Sequence, residues 1–131
     1  MGVDINCWTS KPSTAAPFRA TKYRNIPLLD LTAPTEYQLR AAVAFITREV
    51  ARGTVYIHCK IGFSRSAAVA GAYLLASRNA TTVDEAVARL RKVRPAIVIR
   101  PEAMEAIRGF ERREKENADL YSLNHIAEQL A

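Results

Sequence analysis

An α/β fold is predicted by two features of the 131-residue chain. Short β-branched or alternating apolar stretches recur along it, and between them lie longer segments whose apolar residues fall at helical spacing behind capping signals. Alternation of this kind implies a parallel-rich central sheet of about four or five strands flanked by helices. A third feature, a β-branched strand running almost directly into a helix start, puts a tight loop between a buried strand and a helix N-terminus. With no repeat, low-complexity tract or Gly/Ser linker, residues 1–131 read as a single domain.

Val3, Ile5 and Cys7 alternate with Asp4 and Asn6, so residues 2–8 read as a strand. Residues 9–17, with Ser, Thr, Lys and Pro, read as a loop. An extended apolar piece follows at 23–31, because Pro27 disfavours helix in the residue before it. Thr35-Glu36-Tyr37-Gln38 has the form of a capping box and opens a helix carrying Leu39, Val43, Ile46 and Val50, with Gly53 as its stop. The β-branched and aromatic run 54–58 predicts a buried strand, and residues 64–77 a mostly apolar helix. Thr82-Val83-Asp84-Glu85 is a second capping box, for a helix ending near Val93 before Pro95. Pro101 suits the first turn of another helix, with Met104, Ile107 and Phe110 on one face. Residues 112–131 are expected as a charged, solvated helix end and then a short terminal helix bearing Leu123, Ile126 and Leu130.

Apolar residues at 49 % and charged residues at 24 % exclude collagen-like, disordered and disulfide-scaffold classes. The longest apolar run, 67–76, is far short of the ~20 residues of a membrane helix. The start, Met1-Gly2-Val3-Asp4, lacks the basic and apolar regions of a signal peptide, so a soluble protein is expected. Cys7 and Cys59 are too few for a secreted disulfide framework or a zinc site. The expectation is a reducing, cytoplasmic compartment, unless the chain is a domain of a longer membrane protein, with no metal and no cofactor. A net charge of +6 favours anionic partners. The excess is clustered: Arg52, Lys60, Arg65 and Arg78 lie in residues 51–80, and Arg89, Arg91, Lys92, Arg94 and Arg100 in 89–100, with no carboxylate in either segment. Aromatic residues are too sparse, and too apolar in context, to form a stacking platform, so nucleic acid is not the expected partner.

The informative stretch is Val55-Tyr56-Ile57-His58-Cys59-Lys60-Ile61-Gly62-Phe63-Ser64-Arg65-Ser66. The first N–H groups of a helix have no internal partner, and the dipole adds about half a positive charge there. A loop wrapped over that terminus becomes an anion cradle, and Gly62 supplies the freedom a tight turn needs. Arg65 can grip two phosphate oxygens with its planar fork. Cys59, at the focus of these dipoles, is expected to ionise well below the free-thiol value of ~8.5. Nucleophile, oxyanion cradle and bidentate arginine together suit phosphoryl transfer to sulfur, on a phosphate-binding loop between strand and helix.

This stretch resembles the signature of the cysteine-dependent protein tyrosine phosphatase superfamily, His-Cys-x-x-Gly-x-x-Arg-Ser/Thr, with His58, Cys59, Gly62, Arg65 and Ser66 at its fixed positions. Tyr23-Arg24-Asn25-Ile26-Pro27-Leu28-Leu29-Asp30 is similar to the Tyr-x-x-Ile-Pro-x-x-Asp of dual-specificity phosphatases. The likeness reaches Arg94-Pro95, over about residues 3–111, and suggests a bacterial-type minimal domain without the further strand and helix that often come first. The resemblance implies phosphomonoester hydrolysis through a phosphocysteine. Cys59 would attack phosphorus while the backbone amides of Lys60, Ile61, Gly62, Phe63, Ser64 and Arg65, and the Arg65 side chain, hold the phosphate oxygens. Asp30, placed 29 residues before Cys59, would protonate the leaving oxygen and then act as base. Ser66 would donate to the departing sulfur, and His58 would order the strand end.

The first expectation for the substrate is a phosphorylated protein, on phosphotyrosine and also phosphoserine or phosphothreonine. The alternative is a lipid or small-molecule phosphatase of phosphoinositide or phosphatidylglycerophosphate type, which would bring contact with a membrane surface. Lys60, shared with lipid-directed members, and the basic clusters favour it. So does Arg100, where many members have Asn, read as a contact for a second anionic group or else as a solvated helix start. A phosphate-binding module without turnover would require Cys59, Arg65 or Asp30 to be missing, and all are present. Cys7 sits where a lipid-directed member has a cysteine that pairs with its nucleophile on oxidation; its other reading is a small buried strand residue.

Overall fold

The computed structural model describes residues 3–8, 22–28, 32–59 and 64–130. In chain order the elements are β1 (Val3–Trp8), β2 (Lys22–Ile26), α1 (Glu36–Val50), β3 (Thr54–Cys59), α2 (Ser64–Ala76), α3 (Val83–Val93) and α4 (Pro101–Leu130). Among the described residues the strands form a three-stranded sheet of order β2-β1-β3. Both pairings are antiparallel, Val3 lying opposite Ile26 on one side and Cys59 on the other. Among the described residues the pairing is thus antiparallel where a parallel-rich sheet of four or five strands was expected. β2 and β3 do run in the same direction, as a helical crossover through α1 demands. However, β1 lies between them, because alternation along a chain sets strand direction without setting neighbour order.

The sheet's edge also explains why β3 is less buried than its composition suggests. Thr54 and Tyr56 are exposed, and only at Cys59 does the strand become fully enclosed. α1 covers all three strands, α2 packs on β3, and α2 is in turn covered by α3 and α4. Ile5, Leu39, Ile46, Val69, Ile107 and Phe110 fill the centre. Gly71 allows α2 and α4 to approach closely, since a Cβ there would meet Ile107 Cδ1 at 3.1 Å. Arg40 ties α1 to α4: its guanidinium lies 4.2 Å from the Phe110 ring centre and pairs with Glu36 and Glu114.

Capping follows the sequence closely at α1, where Thr35 accepts from the Gln38 amide and the Gln38 side chain accepts from the Thr35 amide. At α3 only half of the expected box forms. Thr82 accepts from the Glu85 amide, whereas Glu85 reaches one residue further back, to the N–H and hydroxyl of Thr81. The expected break between a charged helix end and a short terminal helix is absent, and α4 runs unbroken for 30 residues. Beyond Gly109 it contains neither glycine nor proline, and the Lys115–Glu111 contact at 2.6 Å supports the charged turns.

Candidate active site

The site is built where β3 ends and α2 begins. Cys59, the last residue of β3, is 6 % exposed, and its Sγ lies 3.5 Å from the Ser66 hydroxyl oxygen in the first turn of α2. Strand and helix thus hold these two side chains at contact distance. Arg65, between them in the chain, is only 7 % exposed and donates to the Leu28 carbonyl at 3.2 Å. Among the described residues no carboxylate pairs with it. A buried guanidinium needs a compensating anion, and one hydrogen bond to a carbonyl leaves most of its donors for one. The first turn of α2 carries no acidic residue either.

Arg100, just before α4, donates its backbone N–H to Ser64 Oγ at 2.9 Å. Its side chain is turned toward Glu102, Nε lying 3.3 Å from that carboxylate, at the edge of a narrow cleft lined by Thr32, Pro34, Ser64, Arg65, Arg100, Glu102 and Ala103. His58 is half-buried and stacks on Tyr56, ring centres 5.2 Å apart. Cys59, Arg65, Ser66, Ser64 and Arg100 are therefore gathered at one corner. Asp30 and loop residues Lys60, Ile61, Gly62 and Phe63 lie outside the described residues.

Cys7 is corrected as a redox partner for Cys59. The register sets Val3 opposite Cys59 and Cys7 opposite Val55. Four residues along a strand amount to ~13 Å, whereas a disulfide spans Cα atoms ~4.4–6.8 Å apart. Two partners were not legible beforehand. The Leu28 carbonyl has no side-chain signature, although its place two residues before Asp30 in the quoted motif pointed to that segment. Glu102 was visible only as a carboxylate next to Pro101. No group of three or more His, Cys, Asp and Glu side chains able to hold a metal ion occurs among the described residues.

The chain matches the dual specificity phosphatase catalytic domain over residues 1–113, and it belongs to that family. Phosphatidylglycerophosphatase and protein-tyrosine phosphatase 1 of Mus musculus is 36 % identical over 106 residues, 79 % of this chain and 53 % of that protein. Phosphatidylglycerophosphate phosphatase PTPMT2 of Arabidopsis thaliana is 32 % identical over 106 residues, 79 % of this chain and 46 % of that protein. The chain thus spans about half the length of the curated relatives it matches. Among solved structures, PTPMT1 in complex with PI(5)P superposes with a TM-score of 0.63 at 32 % identity, over 70 % of this chain and 59 % of that one. Tk-PTP in the active form gives 0.54 at 30 % identity, over 66 % of this chain and 59 % of that one.

Proposed function

We propose that this chain hydrolyses phosphomonoesters through a phosphocysteine at Cys59, and that its substrate is the phosphorylated headgroup of an acidic phospholipid, of phosphatidylglycerophosphate type. The observation that carries the chemistry is the corner itself: Cys59 Sγ is 3.5 Å from Ser66 Oγ at a helix start, beside a buried arginine without a carboxylate partner among the described residues. In the first step the Cys59 thiolate attacks phosphorus, an S–P bond forms and the ester P–O bond breaks. Arg65 and the amides at the start of α2 take the charge on the equatorial oxygens, and the leaving oxygen receives the Asp30 proton. In the second, water attacks the phosphocysteine, gives a proton to Asp30, and the S–P bond breaks. Ser66 then donates its hydroxyl hydrogen to the returning thiolate. Orthophosphate and an alcohol are released.

The lipid substrate is supported by the names of the two curated relatives, both phosphatidylglycerophosphate phosphatases, and by the PI(5)P complex of PTPMT1. Lys60, next to Cys59 in the sequence, and Arg100, just before α4, suit a substrate with a second anionic group. This places the lipid alternative ahead of the protein phosphatase expectation. The protein reading keeps one observation in its favour, the words protein-tyrosine phosphatase in the name of the mouse relative. The deciding experiment compares phosphate release from phosphatidylglycerophosphate in detergent micelles, from a phosphotyrosyl peptide and from an aryl phosphate, with Cys59→Ser as background. A higher kcat/KM on the lipid supports the proposal. Preference for the peptide restores the protein reading, and no release above background from any of the three rejects the enzyme.

A further inference from the structure

The end of α3 and the chain that follows it to α4 carry the second basic cluster, and the structure gives that cluster an unusual company. Val93 and Val98 are 87 % and 58 % exposed, and Arg91, Lys92 and Arg94 are exposed beside them. Arg91, Lys92 and Arg94 form no ion pair with any described residue, whereas Arg89 and Arg100 have Glu85 and Glu102 within 4 Å. No carboxylate occurs from residue 89 to residue 100. The segment ends at Arg100, whose amide bonds Ser64 at the start of α2, so it forms part of the rim of the candidate active site.

We infer that residues 91–98 dock the protein on an anionic phospholipid bilayer, Val93 and Val98 entering the interface while Arg91, Lys92 and Arg94 meet the headgroup charge. The inference rests on the lipid reading above and adds how the enzyme meets its substrate. Exposed valines flanked by unpaired cations are the composition of an interfacial surface: apolar groups supply burial at the acyl boundary, and each cation near an anionic leaflet adds attraction. Neither a polar protein partner nor a nucleic acid rewards the exposed valines. Continuity with the site supplies the purpose, since a docked rim presents the α2 N-terminus to headgroups in the same surface.

The test uses the full chain as Cys59→Ser, which cannot turn lipid over, sedimented with vesicles of phosphatidylcholine alone or with phosphatidylglycerol added. Binding is expected only to the anionic vesicles and is expected to weaken as salt is raised from about 0.1 M to about 1 M. Arg91→Ala with Lys92→Ala should weaken it about thirtyfold, the scale of two cations lost from a charged surface. Val93→Asp with Val98→Asp should weaken it at least about tenfold, in samples whose circular dichroism and melting match the parent chain. Equal binding to neutral and anionic vesicles, or binding that neither pair of substitutions alters, overturns the proposal. Retention on single-stranded DNA as strong as on vesicles, insensitive to the valine changes, overturns it in favour of a soluble polyanion. Micellar phosphatidylglycerophosphate separates this failure from that of the substrate reading. Hydrolysis there without vesicle binding removes the docking surface and keeps the substrate, whereas vesicle binding without micellar hydrolysis keeps the surface and removes the substrate.

Discussion

Four helices begin among the described residues, and three of them have an acidic residue in the first turn. α1 has Glu36 in its first turn, α3 has Asp84 and Glu85, and α4 has Glu102. α1 and α3 also have Thr35 and Thr82 as hydroxyl caps. α2 has no acidic residue in its first turn; it has instead a buried arginine and a buried serine facing a cysteine. The partial positive charge is similar at every helix start, so what separates a capped helix from an anion site is whether the chain supplies the anion itself. Two starts are capped by their own hydroxyls and a third has Glu102 in its first turn, whereas the first turn of α2 has no carboxylate of its own.

The largest test of this contrast removes the fork at α2. Arg65→Lys keeps the charge but loses bidentate geometry and the Leu28 contact, and kcat/KM on an aryl phosphate should fall about 10²–10³-fold. A fall smaller than tenfold would mean that the helix amides alone hold the phosphate. Next, Ser64→Asp makes α2 resemble its neighbours by supplying an internal anion. Inhibition by vanadate should weaken about tenfold, while the melting temperature holds or rises, because a carboxylate in a first turn contributes ~0.3–1 kcal/mol. Unchanged vanadate affinity would show that the charge at this helix start does not govern binding.

The opposite change belongs at α3. Thr82→Ala removes a hydroxyl cap and should cost about 1 kcal/mol in urea unfolding, with kcat/KM on the aryl phosphate unaltered. Loss of activity would show that the closed helix starts also serve the site. The smallest effect concerns Glu85. Its carboxyl is held below the ordinary value of 4.5, first by the Thr81 backbone N–H, then by the Thr81 hydroxyl and by Arg89. A depressed folded-state value contributes stability that is complete above the ordinary range and lost as pH falls through the folded value. Glu85→Gln should therefore lower neutral stability slightly and flatten the loss of stability below about pH 5, where parent and variant converge. An identical acid limb in parent and variant would assign that limb to other carboxylates.

Local chemistry was well represented in the sequence. Thr35 and Gln38 announce a capping box that forms in full, and the residues of the motif place Cys59 at the end of a strand and Arg65 and Ser66 in the first turn of a helix. Each of these depends on neighbours within a few positions, where spacing and side-chain chemistry suffice. The Thr82 box failed by a single residue because Thr81 offers Glu85 two donors where Thr82 would offer one. That competition is settled by geometry, which a spacing rule does not contain.

By itself, then, the sequence determined the succession of strands and helices, the parallel course of β2 and β3, the open N-terminus of α2 and the residues gathered there. These follow from periodicity, capping and charge, all of them local. Only the tertiary structure decided that β1 lies between β2 and β3, that Cys7 stands opposite Val55 rather than Cys59, and that Leu28 and Arg100 meet residues 37 and 36 positions away. Those contacts arise from how the core closes over Ile5, Val69 and Ile107. Distant segments compete there for the same partners, and the winner is chosen by the packing of the whole.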